Sequence, residues 1–373
     1  MAKIDKYLDF EESFHSKGKR EYRKERNIIK KKDRSKYKKS DQDQLKNEQS
    51  ISLNAGNTRG RVLSIYPDYI VVSGKASSFR CVLKGSLKKE KTRKKNLIAV
   101  GDWVHFEEIA ENEGLICHIE KRYSQLIRAE NLSRRKEQLI ATNIDQVFIV
   151  MSVVSPPFKP LLIDRYILAA KKGNMNPIIV INKIDLFANP PSNITRDQAQ
   201  SEQLLLSEVV KAYKAINIPL IQISTQTNTH LSELKTLLEG KTSVFAGQSG
   251  VGKSTIINAI FGTNLTIGSV KVKTNKGSHT TTTAKLIPFK NEGFCIDTPG
   301  IKSFGIFDSD KSTIIDIFPE IQKYSAQCFF PNCKHIHEPK CAVKAALEKG
   351  ELSSYRYASY LGLLSDNPPK EWE

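Results

Sequence analysis

The chain has 373 residues, 39% hydrophobic and 26% charged, enough for two or three domains with separate cores. Its 58 Lys and Arg against 40 Asp and Glu leave a net charge of +18, a surplus that favours a polyanionic partner. No apolar run reaches the ~20 residues that span a bilayer, and the charged N-terminus lacks a signal-peptide stretch, which argues against a membrane protein and predicts a cytoplasmic one.

Residues 1–56 carry almost no apolar periodicity. Between Lys17 and Lys39 stand thirteen Lys or Arg and three acidic residues. Such a segment cannot bury enough apolar surface to offset its ordering entropy, so a basic, disordered extension is expected there. Contact with nucleic acid is the functional reading of that charge, and a solvated tail is the plain one. From about Gly60 to Arg128, short strand-like pieces follow one another: Arg61 to Ile65, Tyr69 to Ser73, Phe79 to Leu83, Trp103 to Glu107 and Leu115 to Glu120. Five short strands without a long helix fit a small barrel of the OB type, although other five-stranded β-domains share the pattern. The loop from Lys84 to Lys95 adds seven basic residues and one acidic residue, as suits a nucleic-acid contact.

From about Ala141 strands alternate with helices. Strands are predicted at Gln146 to Val153, Pro177 to Ile181, Leu220 to Ile223, Ser243 to Ala246 and Gly293 to Ile296. Helices are predicted at Asp164 to Gly173, 198–217, Leu231 to Glu239 and Ser254 to Phe261. This alternation implies a mainly parallel sheet with ligand loops at the strand C-termini.

Three motifs sit in those loops. Gly247-Gln248-Ser249-Gly250-Val251-Gly252-Lys253-Ser254 matches the phosphate-loop pattern in full, between a strand and a helix. Its glycines let backbone N–H groups curl around phosphates beside the positive end of the next helix, where Thr255 follows. Lys253 should reach the β- and γ-phosphates, and Ser254 should ligate Mg²⁺. Asp297-Thr298-Pro299-Gly300 follows a strand about fifty residues on, as a second phosphate box should. Asp297 would hold the Mg²⁺ shell and Gly300 would sense the γ-phosphate. Asn182-Lys183-Ile184-Asp185 ends another strand. The Asp185 carboxylate can accept the ring N–H and exocyclic amine of guanine, a donor pair that adenine lacks. Asn182 would hold the base edge, and the Lys183 stem would cover the ring. Ser224-Thr225, after the next strand, is placed for a supporting contact. The guanine box thus precedes the phosphate loop, the reverse of ordinary small GTPases. Such an order is permitted if old termini lay close together and new ones fall in surface loops.

Near the C-terminus Cys328-x4-Cys333-x-His335-x5-Cys341 offers three thiolates and an imidazole for one structural Zn²⁺, with His337 as a rival fourth ligand. In a cytosolic protein such crowding favours a metal over disulfides. Cys81, Cys117 and Cys295 stand singly in apolar text.

Together these features resemble the circularly permuted ribosome-biogenesis GTPases called RsgA or YjeQ, over roughly residues 57–365. The resemblance adds Gly277-Ser278-His279-Thr280-Thr281-Thr282 and Ala342-Val343 after the last cysteine. It implies a multidomain protein: an OB-type RNA-binding barrel at 57–130, a permuted α/β P-loop GTPase domain at 131–308 and a small helical zinc-binding domain at 309–373. It further implies Cys328, Cys333, His335 and Cys341 as the zinc ligands. The expected partners are GTP or GDP with Mg²⁺, and the small ribosomal subunit with its rRNA, which would stimulate hydrolysis in late maturation. A monomer is expected. Where many GTPases place a water-orienting Gln, this chain has Ile301, a substitution the family shares, and the resemblance offers His279 as the replacement. Binding of RNA or plain packing by His279 is the competing role. By the same resemblance one threonine of Thr280 to Thr283 should reach Mg²⁺ and the γ-phosphate, with Thr281 favoured. Two positions depart from the family: the support box lacks the usual Ala and Gly after Ser224, and Lys340 stands where a glycine is usual. Action on translating ribosomes or another RNA particle, and a ribosome-binding placeholder role with incidental hydrolysis, are the rival functions.

Overall fold

The computed structural model of the protein describes residues 57–74, 77–85, 87, 97–129, 137–262, 284–297 and 311–365. The extension 1–56 and most of the basic loop from Lys84 to Lys95 fall outside the described residues.

Five strands, β1 (Thr58–Ile65), β2 (Ile70–Ser73), β3 (Ser78–Leu83), β4 (Trp103–Ala110) and β5 (Glu113–Ile119), close into a barrel in the order β1-β2-β3-β5-β4. The β3–β5 pair is parallel, whereas β1 closes antiparallel against β4, the connectivity of an OB barrel. Alternation drives this closure. Val62, Val72, Cys81, Val104, Phe106 and Ile116 point inward and are fully buried. The strand cores match the predicted segments; β1, β3 and β4 are longer than expected, β2 starts one residue later, and β5 starts two residues earlier and ends one earlier.

A hairpin, β6 (Gln125–Ala129) and β7 (Glu137–Thr142), leads from the barrel into a six-stranded sheet. Its strands are β8 (Gln146–Ser152), β9 (Asn176–Asn182), β10 (Leu220–Gln222), β11 (Thr242–Ala246), β12 (Lys285–Pro288) and β13 (Phe294–Asp297), in the order β10-β9-β8-β11-β13-β12. All neighbours are parallel except β12 with β13. Every residue of β8 is buried, as expected where helices cover both faces. Its alternate side chains serve two cores. Val147, Ile149 and Met151 pack with helices α1 (Leu161–Lys172) and α2 (Arg196–Ala215), while Phe148 and Val150 pack with α3 (Leu231–Leu238) and α4 (Lys253–Phe261). A capping box at Thr195 and Gln198 starts α2.

The chain continues through a 3₁₀ turn (Lys311–Ile317) into α5 (Pro319–Ser325), α6 (Ala342–Glu348) and α7 (Ser354–Leu364). Phe318, Ile321, Val343 and Tyr360 join the core of α1 and α2. Arg356 of α7 is 1% exposed and is bonded to Asp164 of α1, to Glu320 at 2.6 Å and to the Ile317 carbonyl at 2.8 Å. Burial opposes its charge, but Asp164, Tyr213 and Glu320 outweigh burial and raise its pKa. Removing one member of such a buried pair costs about 3–5 kcal/mol, because the other charge is left alone in the interior. At the barrel junction Arg61, 4% exposed, lies over the rings of Trp103 and Phe294 and donates to the Asn143 carbonyl at 2.6 Å. Among the described residues no helix is long and apolar enough to cross a membrane.

Candidate functional site

Because β8, β9, β10, β11 and β13 run parallel, their C-terminal ends meet along one edge of the sheet. Chain order does not matter to that edge. It brings Asn182, Ser224, Gly247 and Asp297 together although 115 residues of sequence separate the first from the last.

The phosphate loop starts where β11 ends. Gly247 has φ +146°, and a Cβ there would lie 2.2 Å from the Val150 carbonyl oxygen. Gly252 has φ +96°, and a Cβ would lie 2.4 Å from Asn182 Nδ2. Both positions therefore demand glycine on conformation and on space. Val251 between them is fully buried in the α3–α4 core and pins the loop from behind, while Ser249 and Gly250 stay exposed. Lys253 opens α4, its Nζ 2.7 Å from the carbonyls of both Gly247 and Gln248. Ser254 and Thr255 follow half-buried in the first turn, beside the positive helix end.

The guanine box packs directly on this loop. Asn182 donates to the Val251 carbonyl at 2.9 Å, and Lys183 donates to those of Gly250 at 2.8 Å and Ser155 at 2.7 Å. Burial lowers the Lys183 pKa, and nearby Asp185 partly restores it. Ser224 donates to the Asp185 carboxylate at 2.5 Å and accepts from Thr227 N–H at 3.1 Å, so the support box aims the carboxylate. The missing Ala-Gly pair does not prevent this. Thr225 follows half-buried. Two buried polar atoms, Asn182 Oδ1 and Gln248 Nε2, have no partner among the described residues. Together with the glycine cradle and the lysine above it, these orphans fit a bound nucleotide.

Asp297 ends β13 on the same edge. Its side chain, together with His279, Thr281, the other threonines of that run, Gly300 and Ile301, lies outside the described residues.

Between α5 and α6, Cys328, Cys333, His335 and Cys341 bring one ligand atom each within 4.8 Å of one another. The Cys328 and Cys341 sulfurs are 3.9 Å apart, and His335 Nδ1 is 3.5 Å and 3.4 Å from them. A tetrahedral zinc with Zn–S of about 2.3 Å and Zn–N of about 2.0–2.1 Å needs separations of about 3.8 Å and 3.6 Å, so the donor set fits. His335 is 2% exposed, whereas its rival His337 is exposed. The rest of the knuckle is braced by hydrogen bonds. Glu338 accepts from the N–H groups of Lys334, Ile336 and His337 at 2.8, 2.9 and 3.1 Å, and these backbone donors hold its carboxyl down at about 2. Tyr357 donates to the His335 carbonyl at 2.6 Å. Lys340 has φ +54°, a left-handed conformation, which explains why glycine suits that position.

One contribution escaped the sequence. The carboxylate of Glu202 in α2 accepts from the N–H groups of Val154 and Phe158, in the loop after β8 that supplies Ser155 to Lys183. No motif marks it, because its partners are 48 and 44 residues away.

Comparison with known proteins agrees with this geometry. The family model described as RsgA GTPase matches residues 119–307. The chain is 37% identical over 299 residues to small ribosomal subunit biogenesis GTPase RsgA 2 of Bacteroides thetaiotaomicron, covering 80% of this chain and 93% of that one. The RsgA of Chlorobaculum tepidum is 36% identical over 306 residues, 79% of this chain and 93% of that one. Among solved structures, YjeQ from Thermotoga maritima superposes with a TM-score of 0.63 at 30% identity, over 82% of this chain and 97% of that one. YloQ, a circularly permuted GTPase, gives 0.63 at 28% identity, over 84% and 95%. Matches that run nearly the whole length of these relatives go well beyond a shared phosphate loop; the chain belongs to the RsgA GTPase family.

Proposed function

We propose that this GTPase binds rRNA and acts in late maturation of the small ribosomal subunit, which stimulates hydrolysis, with hydrolysis driving release. The observation that supports it most is the guanine box hydrogen-bonded onto the phosphate loop, in a chain that matches relatives named for small-subunit biogenesis across their length. Asp185 reads guanine with Ser224 and Thr225 behind it, and Asn182 and Lys183 frame the base. The loop Gly247 to Thr255 receives the phosphates, and Lys253 stabilises charge on the β- and γ-phosphates. Ser254, Thr281 and Asp297 are the residues that would hold Mg²⁺, which when bound neutralises charge developing on the phosphates. His279 orients the attacking water in place of the absent Gln. Cys328, Cys333, His335 and Cys341 hold one structural Zn²⁺, which ties the knuckle together without entering the reaction.

In this reading the parts divide as a basic extension at 1–56, an RNA-binding barrel at 57–130, the permuted GTPase domain at 131–308 and a zinc-binding domain at 309–373. The protein works as a cytoplasmic monomer. Its net charge of +18 suits rRNA.

The test is GTP turnover of the purified chain with and without small subunits, alongside Lys253→Ala. Turnover should rise at least tenfold with subunits, and Lys253→Ala should bind them yet stay trapped. Turnover indifferent to the subunit would overturn the proposal. Normal release by Lys253→Ala would make hydrolysis incidental.

A further inference from the structure

We infer that Glu202 is a positioning residue for guanine nucleotide, acting through Lys183 by way of the loop Val153 to Phe158. The inference rests on the reading in which the Lys183 stem covers the base.

The loop leaves β8 at the ligand edge of the sheet and is shaped unusually. Val154 has φ +66°, a left-handed conformation that a β-branched residue rarely adopts, and it is 2% exposed. A buried segment in that state persists only where its surroundings hold it. Ser152 Oγ donates to the Pro156 carbonyl inside the bend at 2.9 Å, and one carboxylate oxygen holds its two ends. Glu202 Oε1 accepts from Val154 N–H at 2.8 Å and from Phe158 N–H at 2.7 Å, spanning both ends of the bend. Phe158, 6% exposed, anchors the far end in the core. Between these two points the chain turns outward, and the Ser155 carbonyl reaches Lys183 Nζ at 2.7 Å. The same ammonium bonds the Gly250 carbonyl of the phosphate loop at 2.8 Å. Pro156 supports that contact, with its ring 3.6 Å from where a Gly250 Cβ would stand.

Lys183 itself has φ +67°, and its ammonium is held by two carbonyls from separate loops. Remove the Ser155 carbonyl from its place and the lysine keeps one anchor of two. A long, rotamer-rich side chain then has freedom to leave the base. Glu202 touches neither base nor phosphate, yet it holds both ends of the loop that carries one of the two anchors. Its effect belongs to nucleotide affinity and release rather than to the chemical step, because among the described residues its contacts lead through Ser155 and Lys183 to the Gly250 carbonyl at the exposed tip of the phosphate loop.

The experiment measures release of fluorescent GDP and steady-state GTP turnover for the full chain carrying Glu202→Ala, Glu202→Gln, Lys183→Ala, and Glu202→Ala with Lys183→Ala. Glu202→Ala should raise KM and speed GDP release about tenfold, as expected for losing a charge-assisted acceptor, with kcat within about twofold. Glu202→Gln keeps an oxygen that accepts both N–H groups and should restore near-native release. In the double variant the Glu202 change should add nothing beyond Lys183→Ala. Native GDP affinity in folded Glu202→Ala, or full additivity in the double variant, would overturn the inference. If Glu202→Ala fails to fold, Glu202→Asp, too short to reach both amides, is read by the same criteria. Unchanged GDP affinity in Lys183→Ala would instead remove the base-covering reading, a failure distinct from that of Glu202.

Discussion

The phosphate loop and the cysteine–histidine knuckle are both irregular segments rich in chemistry, yet their order has opposite sources. The phosphate loop is held by the fold behind it: fully buried β11 enters it, Val251 plugs it, and Asn182 and Lys183 bond its carbonyls. The knuckle has little fold behind its tip. Phe329, Phe330 and Ile336 are 65%, 42% and 36% exposed, so its apolar residues turn outward and four ligand atoms occupy its middle. Beyond its hydrogen bonds to Glu338 and Tyr357, a segment built that way would draw on the zinc proposed above. The lesson is that one loop should survive what dissolves the other.

Metal removal should have the largest effect, since structural zinc contributes on the order of 10–16 kcal/mol of apparent binding energy in small zinc motifs. Chelation, or Cys328→Ser, should abolish hydrogen-exchange protection across 328–341 and release one zinc per chain. GDP affinity should stay within about threefold. If GDP binding collapses with the metal, the two regions are a single cooperative unit and the contrast is wrong.

Gly252→Ala is the reciprocal break. The new methyl would meet Asn182 Nδ2 at 2.4 Å in a left-handed backbone, so the Asn182–Val251 bond and the backbone both suffer. A loss of about 2–4 kcal/mol in GDP affinity is expected, with zinc content untouched. Calorimetry with GDP, alongside metal analysis, checks both halves.

The smallest effect calibrates the others because it lies in neither region. On the barrel, Glu120 accepts from Arg59 at 2.7 Å and from His105 at 2.9 Å. The Arg59 hydrogen bond, opposed by some burial and aided by His105, lowers its pKa. A carboxyl with a lower pKa in the folded state adds stability at neutral pH, and that increment fades as pH falls through the carboxylate range. Arg59 is half exposed, so the increment should be below about 1 kcal/mol. Urea midpoints at pH 7 and pH 4 should differ less in Glu120→Gln than in the native chain. An equal difference would remove Glu120 from the account.

Much of this was legible in the sequence because local spacing carries it. Gly247 to Ser254 and Asn182 to Asp185 are contiguous, each is preceded by a continuous apolar strand, and the parallel sheet aligns them. The barrel strands were visible as short pieces carrying β-branched and aromatic residues between turns. The β6–β7 hairpin was not, since its short apolar stretches flank a charged middle, and β12 is only four residues long. The choice between His335 and His337 also stayed open on spacing alone. Burial decides it, because only His335 turns inward onto the sulfurs. Glu202 and Arg356 were invisible for a different reason: each bonds a partner far away in sequence, where no periodicity or motif operates.

The pairing of Arg356 with Asp164 also has a consequence in time. The two are 192 residues apart, and Asp164 is made first. At about 5–20 residues per second, synthesis leaves that carboxylate without its cation for about 10–40 s. Until then Asp164 has to remain wet or protonated, because burying it charged and alone costs more than closing the core around it returns. Helix α1 can therefore take up its final, charged contact only after α7 arrives.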